Sequence, residues 1–213
     1  MSDSIPVYRS RDVKASQDFY GPLLADRRQW PSVAGHLEAL AGRLQTGFQR
    51  REAYGEIARK NHLPAPSPIP ENPEQLARLC IAREYGFPTW EAALSAKDPY
   101  NLEFEAALDA FLAGDLSDLA GLLQAYPDLV FQASPYGHRA TLLHYAACNG
   151  VEIWRQQVPK NLPEAVQLLL EAGAKPMALA HVYGGAFTTL ELLQTSAHPA
   201  AAGIAPALAA LLS

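Results

Sequence analysis

The chain has 213 residues, 49% of them hydrophobic and 18% charged, with a formal net charge of −5. That size and apolar content suit one large or two small soluble domains, and the negative charge argues against a general nucleic-acid or acidic-membrane binder. Two cysteines, Cys80 and Cys148, make no disulfide framework and fit a reducing compartment.

The opening Met1–Pro6 lacks the basic and apolar stretches of a signal peptide, and no apolar run approaches the roughly 20 residues that span a bilayer. A cytoplasmic location without a membrane partner is the expectation. Charge is unevenly spread: residues 1–100 carry thirteen Lys/Arg against twelve Asp/Glu, and residues 101–213 carry four against ten. The second half is therefore the acidic one, which leaves room there for a partner with a basic surface.

In chain order, the first thirty residues are polar, with Tyr8, Phe19, Tyr20 and Trp30 as scattered anchors. Val33, Leu37, Leu40, Leu44 and Phe48 then fall at helical spacing behind Pro31. A second helical stretch around Ala53, Ile57 and Ala58 is flanked by Arg50, Arg51, Arg59 and Lys60; Glu52 and Glu56 interrupt that basic run, so a solvated face is its reading. The proline-rich stretch within 64–73 reads as an extended connector. Helix resumes near Glu74 and stops at Gly86, and Thr89 is placed to cap a helix running to Leu94. Pro99 marks a boundary near residues 97–101. These signals divide the chain into an N-terminal helical region (1–73), a helical capping segment (74–100) and a later part (101–213).

In the later part an apolar residue followed by a Leu pair recurs three times, at Leu119–Leu123, Val166–Leu170 and Leu208–Leu212. Each is preceded by a helical stretch rich in small residues: Phe104–Leu112, Leu142–Cys148 and Thr189–Thr195. Small residues let paired helices approach closely and let pairs stack. An all-α stack of about three helical hairpins is the expected fold.

The middle unit resembles the ankyrin repeat in specific residues. Thr141-Leu142-Leu143-His144-Tyr145-Ala146-Ala147-Cys148-Asn149-Gly150 is similar to the first-helix signature, with Leu142 in place of the usual Pro. Glu164–Ala174 is similar to the second helix and its Gly-Ala exit. The flanking units are degenerate. With Ile81–Trp90 and Thr195–Pro199 added, the chain resembles bacterial ankyrin-repeat-containing proteins with a small helical N-terminal region. The departure is an insertion at 151–163, between the two helices of the middle unit.

The resemblance implies a short ankyrin-like solenoid and a non-catalytic role in protein–protein interaction. Thr141, His144, Gly150 and Gly173 are then structural. The surface implied for a partner comprises Tyr136, His138, Arg139, Tyr145 and Asn149, continued by Tyr183 and Phe187. Trp154 and Arg155, types enriched at interaction hot spots, sit in the insertion, where two readings stand side by side: a second partner contact, or Trp154 pinning the long loop onto the second helix.

Two other function classes compete. One is a small enzyme using His138 or His144 with a carboxylate such as Asp109, in a pocket between the N-terminal helices and the stack. The other is self-association, as a homodimer, through the apolar helix Ile204–Leu212, which no polar repeat follows. His144 and Cys148 sit one turn apart, yet no third orienting group accompanies them. His138, His144, Cys148 and His181 lack the spacing of a zinc site. Gly184-Gly185 is too short for a phosphate loop. Neither a metal nor a cofactor is expected.

Overall fold

A computed structural model describes residues 5–63 and 68–213. The protein is mostly helical, with few short strands. Residues 64–67, the heart of the proline-rich connector, lie outside the described residues, as do residues 1–4 of the leader expectation.

The N-terminal half opens with a strand, β1 (Val7–Tyr8), and a helix, α1 (Arg11–Tyr20), absent from the sequence reading. Ser10 caps α1 by accepting from the Val13 N–H at 3.3 Å, while Val13, Ser16 and Tyr20 form its buried face. The long α2 (Val33–Gln49) starts at Ser32, whose hydroxyl accepts from the Gly35 N–H. Helices α3 (Ala53–His62) and α4 (Pro73–Glu84) follow, and the short α5 (Trp90–Leu94) is capped by Thr89 as its sequence position predicts. Leu37, Leu40 and Leu44 of α2, together with Cys80 and Ile81 of α4, centre one apolar core.

The second half begins with α6 (Leu102–Ala113) and α7 (Leu116–Ala125), joined through Gly114 in the left-handed region. Residues Leu142–Ala147 form a 3-10 helix rather than the expected α-helix, and pair with α8 (Leu162–Glu171). Then come α9 (Thr189–Gln194), the short α10 (Ala197–Ala201) and α11 (Ala205–Leu212). Between α8 and α9, β3 (Ala180–Val182) and β4 (Gly185–Phe187) form a hairpin whose turn residues, Tyr183 and Gly184, both have positive φ, as in a type I′ two-residue hairpin. Leu108, Leu119, Leu143, Val166 and Leu208 belong to the second core. Leu208 and Leu212 point α11 inward, against α8 and α9.

The insertion is not a free loop. It contains a 3-10 turn, Ile153–Arg155, and the strand β2 (Val158–Pro159), which pairs antiparallel with β1. Arg9 Nε donates to Gln157 Oε1 at 2.6 Å, Gln17 Nε2 to the Trp154 carbonyl at 2.8 Å, and the Lys160 N–H to the Pro6 carbonyl at 2.9 Å. The segment that interrupts the repeat-like unit is thus the part that grips the N-terminus.

The two halves also meet backbone to backbone. Gly137 N–H donates to the Tyr85 carbonyl at 2.9 Å, and a Cβ on Gly86 would fall inside contact distance of the His138 backbone. Gly86 moreover has φ +73, a conformation that costs an L-residue roughly 1–2 kcal/mol. Gly86→Ala is therefore expected to lower unfolding stability by about 2–4 kcal/mol. Gly42→Ala, on an open face of α2 with nothing within 4 Å, should raise it by about 0.5–1 kcal/mol. Urea denaturation of the two variants checks the pair.

Candidate functional site

Five of the residues implied for partner contact are interior. Tyr136, His138 and Tyr145 are fully buried, Arg155 is 1% exposed and Trp154 is 8% exposed. What covers them is the chain itself. The Tyr85 ring stands edge-on to Tyr136 at 4.7 Å between centroids, and the Tyr100 hydroxyl is 3.1 Å from that of Tyr136. Trp154 Nε1 donates to the Tyr85 hydroxyl at 3.2 Å. A buried position hands its apolar area to the fold, so these five are corrected from partner contacts to parts of an internal interface.

That interface is ionic at its centre. Arg155 projects between two carboxylates, donating through Nη1 to Glu152 Oε1 at 3.1 Å and through Nη2 to Glu105 Oε2. Arg27, from the N-terminal half, reaches the same Glu105 oxygen at 3.3 Å. The indole of Trp154 lies against both guanidinium groups, its ring centroid 4.8 Å from that of Arg27 and 4.4 Å from that of Arg155. Two cations and two anions balance. Buried charges are tolerable only when so paired. Burial raises the Glu152 carboxyl, but His138 and Arg155 beside it win and hold it down to about 2.

The histidines are also committed. His138 Nδ1 accepts from the Ala140 N–H at 3.1 Å, so Nε2 carries the proton and faces Glu152 Oε2 at 3.3 Å. His144 Nδ1 accepts from the Thr141 N–H at 3.1 Å, and Nε2 donates to the Ala178 carbonyl at 3.1 Å. Both rings are fully buried. The carboxylate at His138 is Glu152; Asp109 lies out at the surface with a side chain 64% exposed. The pocket in which either histidine would meet Asp109 is therefore absent from the described residues. Cys148 is buried, and burial alone pushes its thiol well above the ordinary range. Among the described residues no group of three His, Cys, Asp or Glu could hold a metal ion, and no helix is long and apolar enough to cross a membrane.

The remaining implied contacts, Arg139, Asn149, Tyr183 and Phe187, reach solvent to differing degrees. Asn149 and Tyr183 frame a cleft of about 1080 Å³ between the hairpin and the N-terminal helices. Tyr183 is 75% exposed, and its hydroxyl donates to Asn149 Oδ1 at 2.6 Å. Asn149 Nδ2 in turn donates to the Leu192 carbonyl and to Thr195 Oγ1. Gly150, with φ +73, brings this turn against Val182 of the hairpin.

The opposite wall is a ladder of polar groups. Asn61 donates to Asp12 at 3.2 Å, Arg83 donates to the His62 carbonyl at 3.0 Å, and His62 Nε2 lies 3.3 Å from Glu84 Oε2. The floor holds Glu84 itself, which accepts from the Ile153 N–H at 3.1 Å. His198 closes one end, its pKa lowered by burial and partly restored by Asp12. Sequence reading missed this wall because its residues come from three helix ends. The buried Glu105 did leave a signal, since it shares a helical face with Leu108 and Leu112.

No protein-family model, no curated protein and no solved structure matches this chain.

The buried ionic cluster predicts a large cost for removing one partner. Glu105→Ala leaves two buried guanidiniums short of a counter-charge and should cost about 3–5 kcal/mol, whereas Glu103→Ala, exposed on the same helix, should cost about 0.5 kcal/mol or less. Denaturant midpoints distinguish the two. A pH dependence follows as well. Burial, with Arg27 behind it, takes His36 from 6.5 to about 3, and burial takes His144 from 6.5 to about 4. The unfolded chain therefore takes up these protons first, and stability falls as pH drops below about 6.5, by up to about 1.4 kcal/mol per unit for each ring. Glu152, depressed from 4.5 to about 2, adds a further loss across that lower window. The unfolding midpoint measured from neutral to acid pH should decline in these two stages, and His144→Gln should flatten the first.

Proposed function

We propose that the protein is a non-catalytic binding module whose site is the cleft between the β3–β4 hairpin and the N-terminal helices. The observation that carries this reading is a division of the inner surface. Tyr136, His138 and Tyr145 are sealed beneath the chain's own N-terminal half, while Asn149 and Tyr183 stay open across a cleft of about 1080 Å³. Concave, pre-formed sites with a few convergent polar groups are where ligands bind. The histidines that a catalytic reading needs have both ring nitrogens facing protein partners and no access to solvent.

The finer architectural reading belongs to the same proposal. Three successive helical hairpins, α6–α7, Leu142–Ala147 with α8, and α9 with α11, form an ankyrin-like solenoid. The Thr141–His144 capping box, the left-handed Gly173 after α8 and the hairpin before α9 support it. In that architecture turns and first helices meet the partner. Here the N-terminal half occupies most of that face and the cleft is what it leaves.

The test is retention of proteins from cell extract by the full chain and by Asn149→Ala/Tyr183→Ala. Partners held at the cleft should be lost by about tenfold or more in the double variant, as expected when two central contacts go. An unchanged set of retained proteins sinks the cleft reading.

A further inference from the structure

Beyond the cleft, we propose that the outer edge of β4 pairs with β4 of a second copy, joining two molecules through a four-stranded antiparallel sheet. The parity of the hairpin opens that edge. In a two-residue hairpin Val182 and Gly185 close the turn as a hydrogen-bonded pair, so the next pair out, His181 and Ala186, turn their backbone groups away from each other. On the β3 side those groups are used, since the His181 N–H donates to the His138 carbonyl at 2.7 Å. On the β4 side the N–H and carbonyl of Ala186 point outward from an exposed residue, and neither meets a partner among the described residues.

The same row of main-chain contacts is closed at its other end. The Tyr85 carbonyl of the N-terminal half accepts from the Gly137 N–H, and the next residue, His138, accepts from His181. Successive turns of this molecule therefore already dock edge to edge, and β4 carries that docking geometry outward. Exposed edges are ordinarily guarded by a Lys, a Pro or another charge. From Met177 to Leu190 the chain has no Lys, Arg, Asp, Glu or Pro. Glu191, which follows, is tied back into the cap of α9, accepting from the Thr188 N–H at 2.7 Å and its hydroxyl at 2.8 Å.

Length and charge select the occupant. The Thr188 N–H is spent on Glu191 and Gly184 lies in the turn, so the open edge is short and centred on Ala186. A long extended peptide overruns it at both ends. A second β4 has the same length and the same two groups, and a twofold axis at Ala186 lets each N–H donate to the other's carbonyl. The segment is also neutral and apolar: Met177, Leu179 and Tyr183 are each more than half exposed, and interface cores are depleted of charge. The chain's net charge of −5 is carried elsewhere, so two copies meet here without opposing like charges, and a basic partner finds no counter-charge.

Sedimentation velocity of the full chain across the micromolar range tests the proposal. A monomer–dimer equilibrium is expected, strengthened by salt as the repulsion of net charge is screened. Ala186→Lys, and Ala186→Pro at an N–H that faces outward, should each weaken the dimer about tenfold or more. Ala186→Cys should give a disulfide-linked dimer under mild oxidation, because Cα atoms of such a pair stand about 5.5 Å apart, within the span of a disulfide. Both native cysteines are buried and do not compete. His181→Cys, one strand further from the axis, should not cross-link.

A monomer at every concentration overturns the pairing. A dimer that the Ala186 variants leave unchanged, or one that cross-links through His181→Cys and not through Ala186→Cys, overturns it as well. The cleft is judged separately, since these variants leave Asn149 and Tyr183 in place.

Discussion

Arg155 cannot be where it is without Glu105 and Glu152, and the rest of the molecule is arranged around that requirement. A guanidinium taken fully out of water is held only by counter-charges taken out with it. Glu152 comes from the same turn as Arg155, Glu105 from α6, and Arg27 joins from the N-terminal half to balance the second acid. Trp154 packs its ring against both cations and hydrogen-bonds to Tyr85. One cluster therefore ties together the insertion, the repeat-like hairpins and the N-terminal helices. Such clusters demand geometry more than they add stability, because replacement by apolar groups is often neutral while loss of one partner is not.

This arrangement changes what the insertion is for. An extra segment inside a helical hairpin suggests an added contact for something outside, and Trp154 and Arg155 are residue types that favour such contacts. Here the segment turns the other way. It supplies β2 to pair with β1, backbone groups to bond with Gln17 and Glu84, and two large side chains to fill the seam. The same residues that make a strong intermolecular hot spot make a strong intramolecular one, since the physics of burying an aromatic ring and a paired guanidinium is the same in both.

Local features were legible in the sequence and long-range ones were not. The spacing of Val33 to Phe48 placed α2, Thr89 placed the start of α5, and the Leu pairs placed α7, α8 and α11, because periodicity and capping are written in neighbouring residues. The helical pattern around Leu142 was read as α and folded as 3-10. Helix α1 was missed because its buried face uses Ser16 as well as Val13 and Tyr20, so its apolar stripe is broken. The sealing of Tyr136, His138 and Tyr145 depends on the N-terminal half lying over them, and a single sequence does not state which surfaces meet. The cleft shares that cause, since its polar wall gathers the ends of α1, α3 and α4.

The grip between the first residues and the insertion also sets an order of events. Arg9 and Gln157, which bond to each other, are separated by 148 positions in the chain. Contacts so distant can form only after the intervening chain has paid its loop-closure entropy, which slows folding relative to local helix formation. During synthesis β1 and α1 emerge well before their partners in the insertion, which follow only after α7. The contacts of β1 and α1 with the insertion are thus among the last to be secured, whereas Tyr20 can pack on Tyr54 within the N-terminal core before the second half arrives.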